Sequence, residues 1–154
     1  MGKITIIRHA TQGADEQGFY PFTLSASRAT LAKRRWRGVS ADGREFGFDL
    51  DEPLKHGALF HVEGNLRYYL SQEPEEVLEI PVATLEQATR IAWSLGNLHF
   101  GVQVLAASVR VMEDPAVVQL LEREGINFQR VKCVFLPLSA GAHHHQEHSH
   151  HHHE

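Results

Sequence analysis

Residues 77–97, VLEIPVATLEQATRIAWSLGN, join a strand to a helix and decide the fold of the second half of the chain. The opening VLEIPVA is rich in branched apolar side chains and predicts a strand. Thr84 and Gln87 have the spacing of a capping box at a helix start, and Gly96-Asn97 is a plausible helix stop. Between these signals, apolar residues recur at helical spacing: Leu85, Ala88, Ile91, Ala92 and Leu95.

The residues that follow repeat this alternation. VQVLAASVRVME (102–113) predicts two strands with a tight turn near residues 106–108. PAVVQLLEREG (115–125) predicts a helix with Pro115 in its first turn and Gly125 at its end. NFQRVKCVFLPL (127–138) predicts a final strand, so the order is the βαββαβ of a ferredoxin-like domain.

The first half has a different sequence pattern: short runs of alternating apolar and polar residues are separated by turns, and no helical period is present. It predicts an all-β domain of five or more strands, in which TLAKRRWRGV (30–39) is one such run and ADGR (41–44) is a hairpin turn. A polar stretch around Pro74 separates the halves. The expected fold class is α+β: an all-β domain (1–73), a ferredoxin-like domain (75–138) and a disordered His-rich tail (139–154).

The composition of the chain excludes several classes of function. The 42% hydrophobic content is enough for a core, and the formal charge of −4 argues against nucleic-acid binding as the main role. Cys133 is the only cysteine, which rules out an intrachain disulfide and a thiolate cluster within one chain. No apolar run approaches a membrane span, no nucleophile or phosphate-loop motif is present, and no carboxylate pair suits acid–base chemistry. A cytoplasmic protein that is not an enzyme and binds no membrane is expected.

IIRHATQG (6–13) resembles the start of histidine phosphatases, where the imidazole takes the phosphoryl group. That family has glycine after the histidine, whereas this chain has Ala10, followed by a β-rich half. His9 is therefore interpreted as a surface residue.

KRRWR (33–37) has two interpretations. It can hold a nucleic-acid backbone with Trp36 stacking on bases. Alternatively, strand alternation places Lys33, Arg35 and Arg37 on one solvated face that is free for a protein partner. The acidic chain favours the second.

His99, just past the first helix of the second half, is a candidate metal ligand. A helix C-terminus favours a cation, and in a two-fold dimer a residue near the axis meets its own copy. The tail adds more imidazoles, since eight of the last twelve residues are histidine, beginning with His143, His144 and His145. Imidazole suits nickel, copper and zinc. Two copies of His99, with one or two tail histidines from each copy, give about four to six ligands.

With these features together, the chain resembles the UreE family of urease accessory nickel metallochaperones along nearly its whole length. The family motif Gly-Asn-Arg-His-X-Pro stands here as GNLHFG (96–101), in which Gly96, Asn97 and His99 match while Leu98 and Gly101 depart. The resemblance implies a homodimer joined through the second domain, with His99 of each copy forming the nickel site. It also implies an N-terminal domain for partner contacts. Extra histidines that some members carry before the second helix are absent from RVMEDPAV (110–117).

The expected function is therefore to bind Ni²⁺, with Zn²⁺ or Cu²⁺ as competitors, and to deliver it to apo-urease together with other urease accessory proteins. The expected ligands are His99, His143, His144 and His145, with the cluster 148–153 as a weaker reservoir. Two alternatives stay open. One is a protein-interaction adaptor whose tail is an affinity tag, and the other is a zinc or copper storage protein.

Overall fold

The computed structural model describes residues 2–13 and 18–138 of the chain and shows a mixed α+β protein. It divides into two compact units. One holds the described residues up to Glu75 together with Lys132–Val134, and the other holds Glu76–Val131 with the described residues from Phe135. The predicted tail, including His143, His144 and His145, lies outside the described residues.

The first unit is built from two three-stranded sheets with the orders β1-β4-β3 and β2-β6-β5. Its strands are β1 (Thr5–Ile7), β2 (Tyr20–Ala26), β3 (Arg35–Val39), β4 (Glu45–Asp49), β5 (Leu59–Glu63) and β6 (Leu66–Gln72). The predicted hairpin is confirmed, because β3 and β4 pair antiparallel around a turn in which Gly43 has a φ of 84°. That positive φ is readily adopted by glycine.

The prediction of an all-β half is wrong at one place. A short helix, α1 (Arg28–Leu31), occupies part of the run predicted as a strand, and Ser27 caps it by accepting a hydrogen bond from the Thr30 N–H at 3.1 Å. As a consequence β3 starts only at Arg35, and Lys33 lies before the strand. Four residues make a single turn, which is too short to show a helical period.

Aromatic side chains fill the core of the first unit. The Phe46 and Phe60 rings meet edge to face at 5.0 Å, and Trp36 stacks on Phe48 at 3.9 Å. His61 packs beside Phe46, and its Nε2 atom is buried with no hydrogen-bond partner among the described residues. Burial, followed by the nearby charge of Arg44, lowers the pKa of His61 below its ordinary value.

The second half has the predicted element order. Its elements are β7 (Glu75–Pro81), α2 (Leu85–Asn97), β8 (Val102–Val104), β9 (Ser108–Met112), α3 (Pro115–Arg123) and β10 (Gln129–Cys133), and the sheet order is β10-β7-β9-β8. One face of each helix packs on this sheet, through Ile91 and Leu95 of α2 and through Val117 and Leu121 of α3. Asp114 caps α3 by accepting from the Ala116 N–H at 2.8 Å, and Pro115 follows at the first turn as predicted.

The described residues contain no helix with the length and hydrophobicity that crossing a lipid bilayer requires.

Candidate metal centre

Helix α2 positions His99. At its start Thr84 and Gln87 both cap the helix, as their spacing predicts: Thr84 Oγ1 accepts from the Gln87 N–H at 3.1 Å, while Gln87 Oε1 accepts from the N–H of Ala83, one residue before the cap, at 2.9 Å. Ile91 and Leu95 are buried in the core of the unit. The helix axis, and with it the position of its C-terminus, is therefore fixed both at the cap and by packing.

The helix ends in a Schellman motif with His99 as its left-handed residue. The Phe100 N–H donates to Leu95 O at 3.1 Å, and the His99 N–H donates to Gly96 O at 2.9 Å. Glycine usually holds this position, because its φ is positive. His99 has a φ of 65°, and no other described non-glycine residue has a positive φ.

This conformation costs a residue with a Cβ about 1–2 kcal/mol relative to glycine. Strained residues of this kind cluster at functional sites, where the side chain is worth more than the lost stability. The His99 side chain is exposed, so its imidazole is accessible to a ligand. The backbone conformation and the GNLH motif thus both point to His99.

Two large apolar side chains are exposed towards the C-terminal end of α2. Trp93 is 68% exposed on α2, and Leu98, the residue before His99, is 41% exposed. Both line a groove of about 450 Å³ between α2 and α3 whose other lining residues are mostly polar, among them Asn97 and Gln119. A large aromatic side chain that is exposed near a candidate metal ligand is typical of a surface that another molecule covers.

The sequence carries one signal for this surface. Trp93 falls outside the helical stripe of core residues, which places it on the opposite face of α2. The helical spacing predicts Leu85 as part of the core stripe, but Leu85 is the first residue of α2 and is 84% exposed.

The last described residues pack against the loop that follows His99. The Leu138 N–H donates to Val102 O at 2.8 Å, and the Leu136 N–H donates to Gln103 Oε1 at 3.2 Å. A Cβ at Gly101 would stand 3.2 Å from Pro137 Cβ. Gly101, where the family motif has proline, therefore lets the outgoing segment pack closely against the loop that follows His99.

Among the described residues, His99 supplies one imidazole to the candidate site. No three histidine, cysteine, aspartate or glutamate side chains come together there as a metal-binding group. Of the four predicted ligands, only His99 lies within the described residues, and all four, His99, His143, His144 and His145, stay predictions. His9 of the phosphatase-like motif is exposed in the first unit, in agreement with its interpretation as a surface residue.

Comparison with known proteins assigns the family. The C-terminal domain of UreE urease accessory proteins matches residues 75–154, which include the whole second half. Urease accessory protein UreE of Corynebacterium efficiens is 33% identical over 111 residues, covering 70% of this chain and 74% of its own. The UreE of Bacillus cereus is 32% identical over 106 residues (68% and 70%), and that of Pseudomonas fluorescens strain Pf0-1 is 29% identical over 126 residues (80% and 76%). The chain belongs to the UreE family of urease accessory proteins.

Family membership confirms the resemblance seen in the sequence. It also makes the chain an accessory protein and not an enzyme, as predicted.

Proposed function

We propose that the chain is a cytoplasmic nickel metallochaperone that binds Ni²⁺ as cargo and delivers it to apo-urease during assembly of the urease active site. The observation that carries the proposal is His99: an exposed imidazole held in a strained left-handed conformation at the end of a capped helix. Its position in the GNLH motif of a urease accessory protein supports nickel as the metal.

We further propose that two copies of the chain share the site. One imidazole is too few for tight binding of a divalent cation, and a two-fold dimer doubles every residue near its axis. Trp93 and Leu98, which precede His99 in the chain, are exposed and supply apolar side chains for contact with the second copy. Burying such a surface would bring the two His99 side chains towards each other.

The tail histidines complete the proposed ligand set. The Val102 carbonyl accepts a hydrogen bond from the Leu138 N–H. Val102 is three residues after His99, and Leu138 is five residues before His143. Five extended residues reach about 17 Å, which is enough for His143, His144 or His145 to approach His99. Ligands on such a tether lose entropy on binding and release metal readily, which suits a carrier.

The test is activation of apo-urease by the nickel-loaded chain, with the other urease accessory proteins present. His99→Ala should lose most of the activation. The matched control is His9→Ala, which removes another exposed imidazole from a different part of the chain. Equal activation by both variants would contradict the proposal.

The same assay separates the alternatives. A zinc or copper storage protein would bind those ions but would not activate urease with nickel. An adaptor with an affinity tag would support activation whether or not His99 is present.

A further inference from the structure

Residues 136–138, which we call the anchor segment, lie against β8 and the loop before it. In the sheet order β10-β7-β9-β8, β8 is an edge strand, so its free edge can accept hydrogen bonds from another part of the chain. The Leu138 N–H donates to Val102 O on this strand at 2.8 Å. Phe135, the residue before the segment, is only 1% exposed. A buried side chain thus holds the chain just before the anchor segment, and a backbone hydrogen bond holds the end of the segment.

The side chain of Gln103 makes a second hydrogen bond to the anchor segment. Val102 packs in the core of the second unit, and successive residues of a strand point to opposite faces, so Gln103 points away from that core. Its Oε1 atom accepts from the Leu136 N–H at 3.2 Å. Leu136 is 46% exposed and Leu138 is 69% exposed, so their own side chains contribute little to holding the segment.

Gly101 lets the anchor segment approach closely. A Cβ at this position would stand 3.2 Å from Pro137 Cβ, which is tighter than an ordinary contact. Gly101 does not have the positive φ that Gly125 has. A side chain at Gly101 is therefore disfavoured by the space that Pro137 occupies and not by the backbone conformation.

The contacts of the anchor segment lead back towards His99. From Leu136 to Leu138, the partner changes from Gln103 to Val102, which is three residues after His99. Three residues span at most about 11 Å, and neighbouring strands lie about 5 Å apart, so Leu138 is held within about 16 Å of His99.

We infer that Gln103 is a positioning residue for the proposed nickel site: it holds the anchor segment on β8 and thereby sets the point from which the tail histidines reach His99. The inference rests on the proposed function, in which His143, His144 or His145 acts together with His99. Gln103 itself does not bind the metal in this account.

The size of the effect follows from the length of the tether. Five residues separate Leu138 from His143, whereas eight separate Phe135 from His143. Release of the anchor segment therefore lengthens the tether from five residues to eight. Effective concentration falls as about the 3/2 power of tether length, which gives about a twofold loss for one tail histidine and about fourfold when each of two copies supplies one.

The first measurement does not involve nickel. Amide hydrogen exchange of Leu138, followed by NMR on the full chain with a chelator present, reports on its hydrogen bond to Val102. Gln103→Leu keeps the size of the side chain but has no accepting oxygen, so exchange at Leu138 should become faster by about a factor of two to ten. Gln103→Glu keeps an accepting oxygen and should retain the slow exchange. The matched control is Gln129→Leu, the same change at an exposed residue of the second unit, which should exchange as the intact chain does.

The second measurement is nickel affinity, obtained by competition with a chelator for the full chain and for a chain ending at Leu138. Gln103→Leu should weaken binding about fourfold in the full chain and leave it unchanged in the shortened chain, which has no tail histidines. For Gln103→Glu, the ratio of the two affinities should equal that of the unsubstituted chain. Gly101→Val displaces the same segment through Pro137 without changing Gln103, and it should likewise lower the affinity of the full chain relative to the shortened one.

Two results would overturn the inference while leaving His99 as the nickel ligand. One is unchanged exchange at Leu138 in Gln103→Leu. The other is a change of nickel affinity that is the same in both chain lengths, which would assign Gln103 to the support of the loop after His99. Nickel binding that does not depend on His99 in either length would instead overturn the proposed function, and the positioning role with it, even where the exchange at Leu138 changes as expected.

Discussion

Replacing His99 with glycine should stabilise the folded chain while removing the proposed nickel ligand. His99 has a φ of 65° at the end of α2, in the region that glycine adopts without strain. A residue with a Cβ pays about 1–2 kcal/mol for that conformation. Glycine in turn gives the unfolded chain more freedom, which costs about 0.4–1 kcal/mol. The difference of the two ranges is a net gain of about 0–1.6 kcal/mol, with a central value of about 0.8 kcal/mol.

The proper reference is His99→Ala, which also removes the imidazole but keeps the Cβ and therefore the strain. Urea unfolding of both variants with a chelator present, followed by far-ultraviolet circular dichroism, reports on the unit that contains α2 and α3. The glycine variant should be more stable than the alanine variant by the amount above, and neither should bind nickel tightly. Equal stabilities, or an alanine variant that is the more stable, would refute the claim that the backbone is strained at His99.

Three further predictions concern the surface near His99, the metal and the first unit. Trp93→Glu should convert the proposed dimer to monomer in sedimentation measurements, whereas Val104→Glu, at another exposed apolar residue of the same unit, should leave the dimer intact. Nickel affinity measured by calorimetry should fall between about pH 7 and pH 5, because protons compete with the metal for imidazole nitrogen, and an unchanged affinity would contradict histidine ligation. Since the pKa of His61 is lowered in the folded chain, the unfolded state binds the extra proton, so His61 should destabilise the protein as the pH falls below 6.5. His61→Phe, which keeps a ring beside Phe46, should make unfolding less pH-dependent by at most about 1.4 kcal/mol per pH unit, and an identical pH profile would contradict this.

The second half was predictable because its signals are long and agree with one another. Helix α2 carries a cap, a helical period and a stop signal within thirteen residues, and it was predicted to end where it does, at Asn97. Helix α3 was likewise marked by Pro115 at its start and Gly125 after its end. The bounds of the strands differ from the predicted ones; β7, for example, begins two residues before the predicted Val77.

The first half was less predictable, because its pairings are long-range. Strand β2 pairs in parallel with β6, so that Tyr20 faces Leu66 across more than forty residues of sequence. Local patterns carry no information on such partners. The single turn of α1 was missed for the opposite reason, because it is too short to display a period.

The candidate site, too, was predictable only in part. The GNLH motif pointed to His99, but its left-handed backbone was not predicted, because glycine, and sometimes asparagine, is the usual left-handed residue at a helix end. The sequence places Trp93 outside the core stripe of α2, but the exposure of Leu98 after the helix is visible only in the structure. His143, His144 and His145 stay predictions from the sequence.

The central claim is that His99 forms the tight nickel site and that the tail assists it. Calorimetric titration of Ni²⁺ into the intact chain, a chain ending at Leu138 and the His99→Ala variant tests it most directly. The account predicts that the shortened chain keeps one tight nickel per dimer, and that His99→Ala loses it while retaining weak binding by the tail. Complete loss of binding in the shortened chain, with no change in His99→Ala, would show that the tail alone binds the metal and would contradict the account.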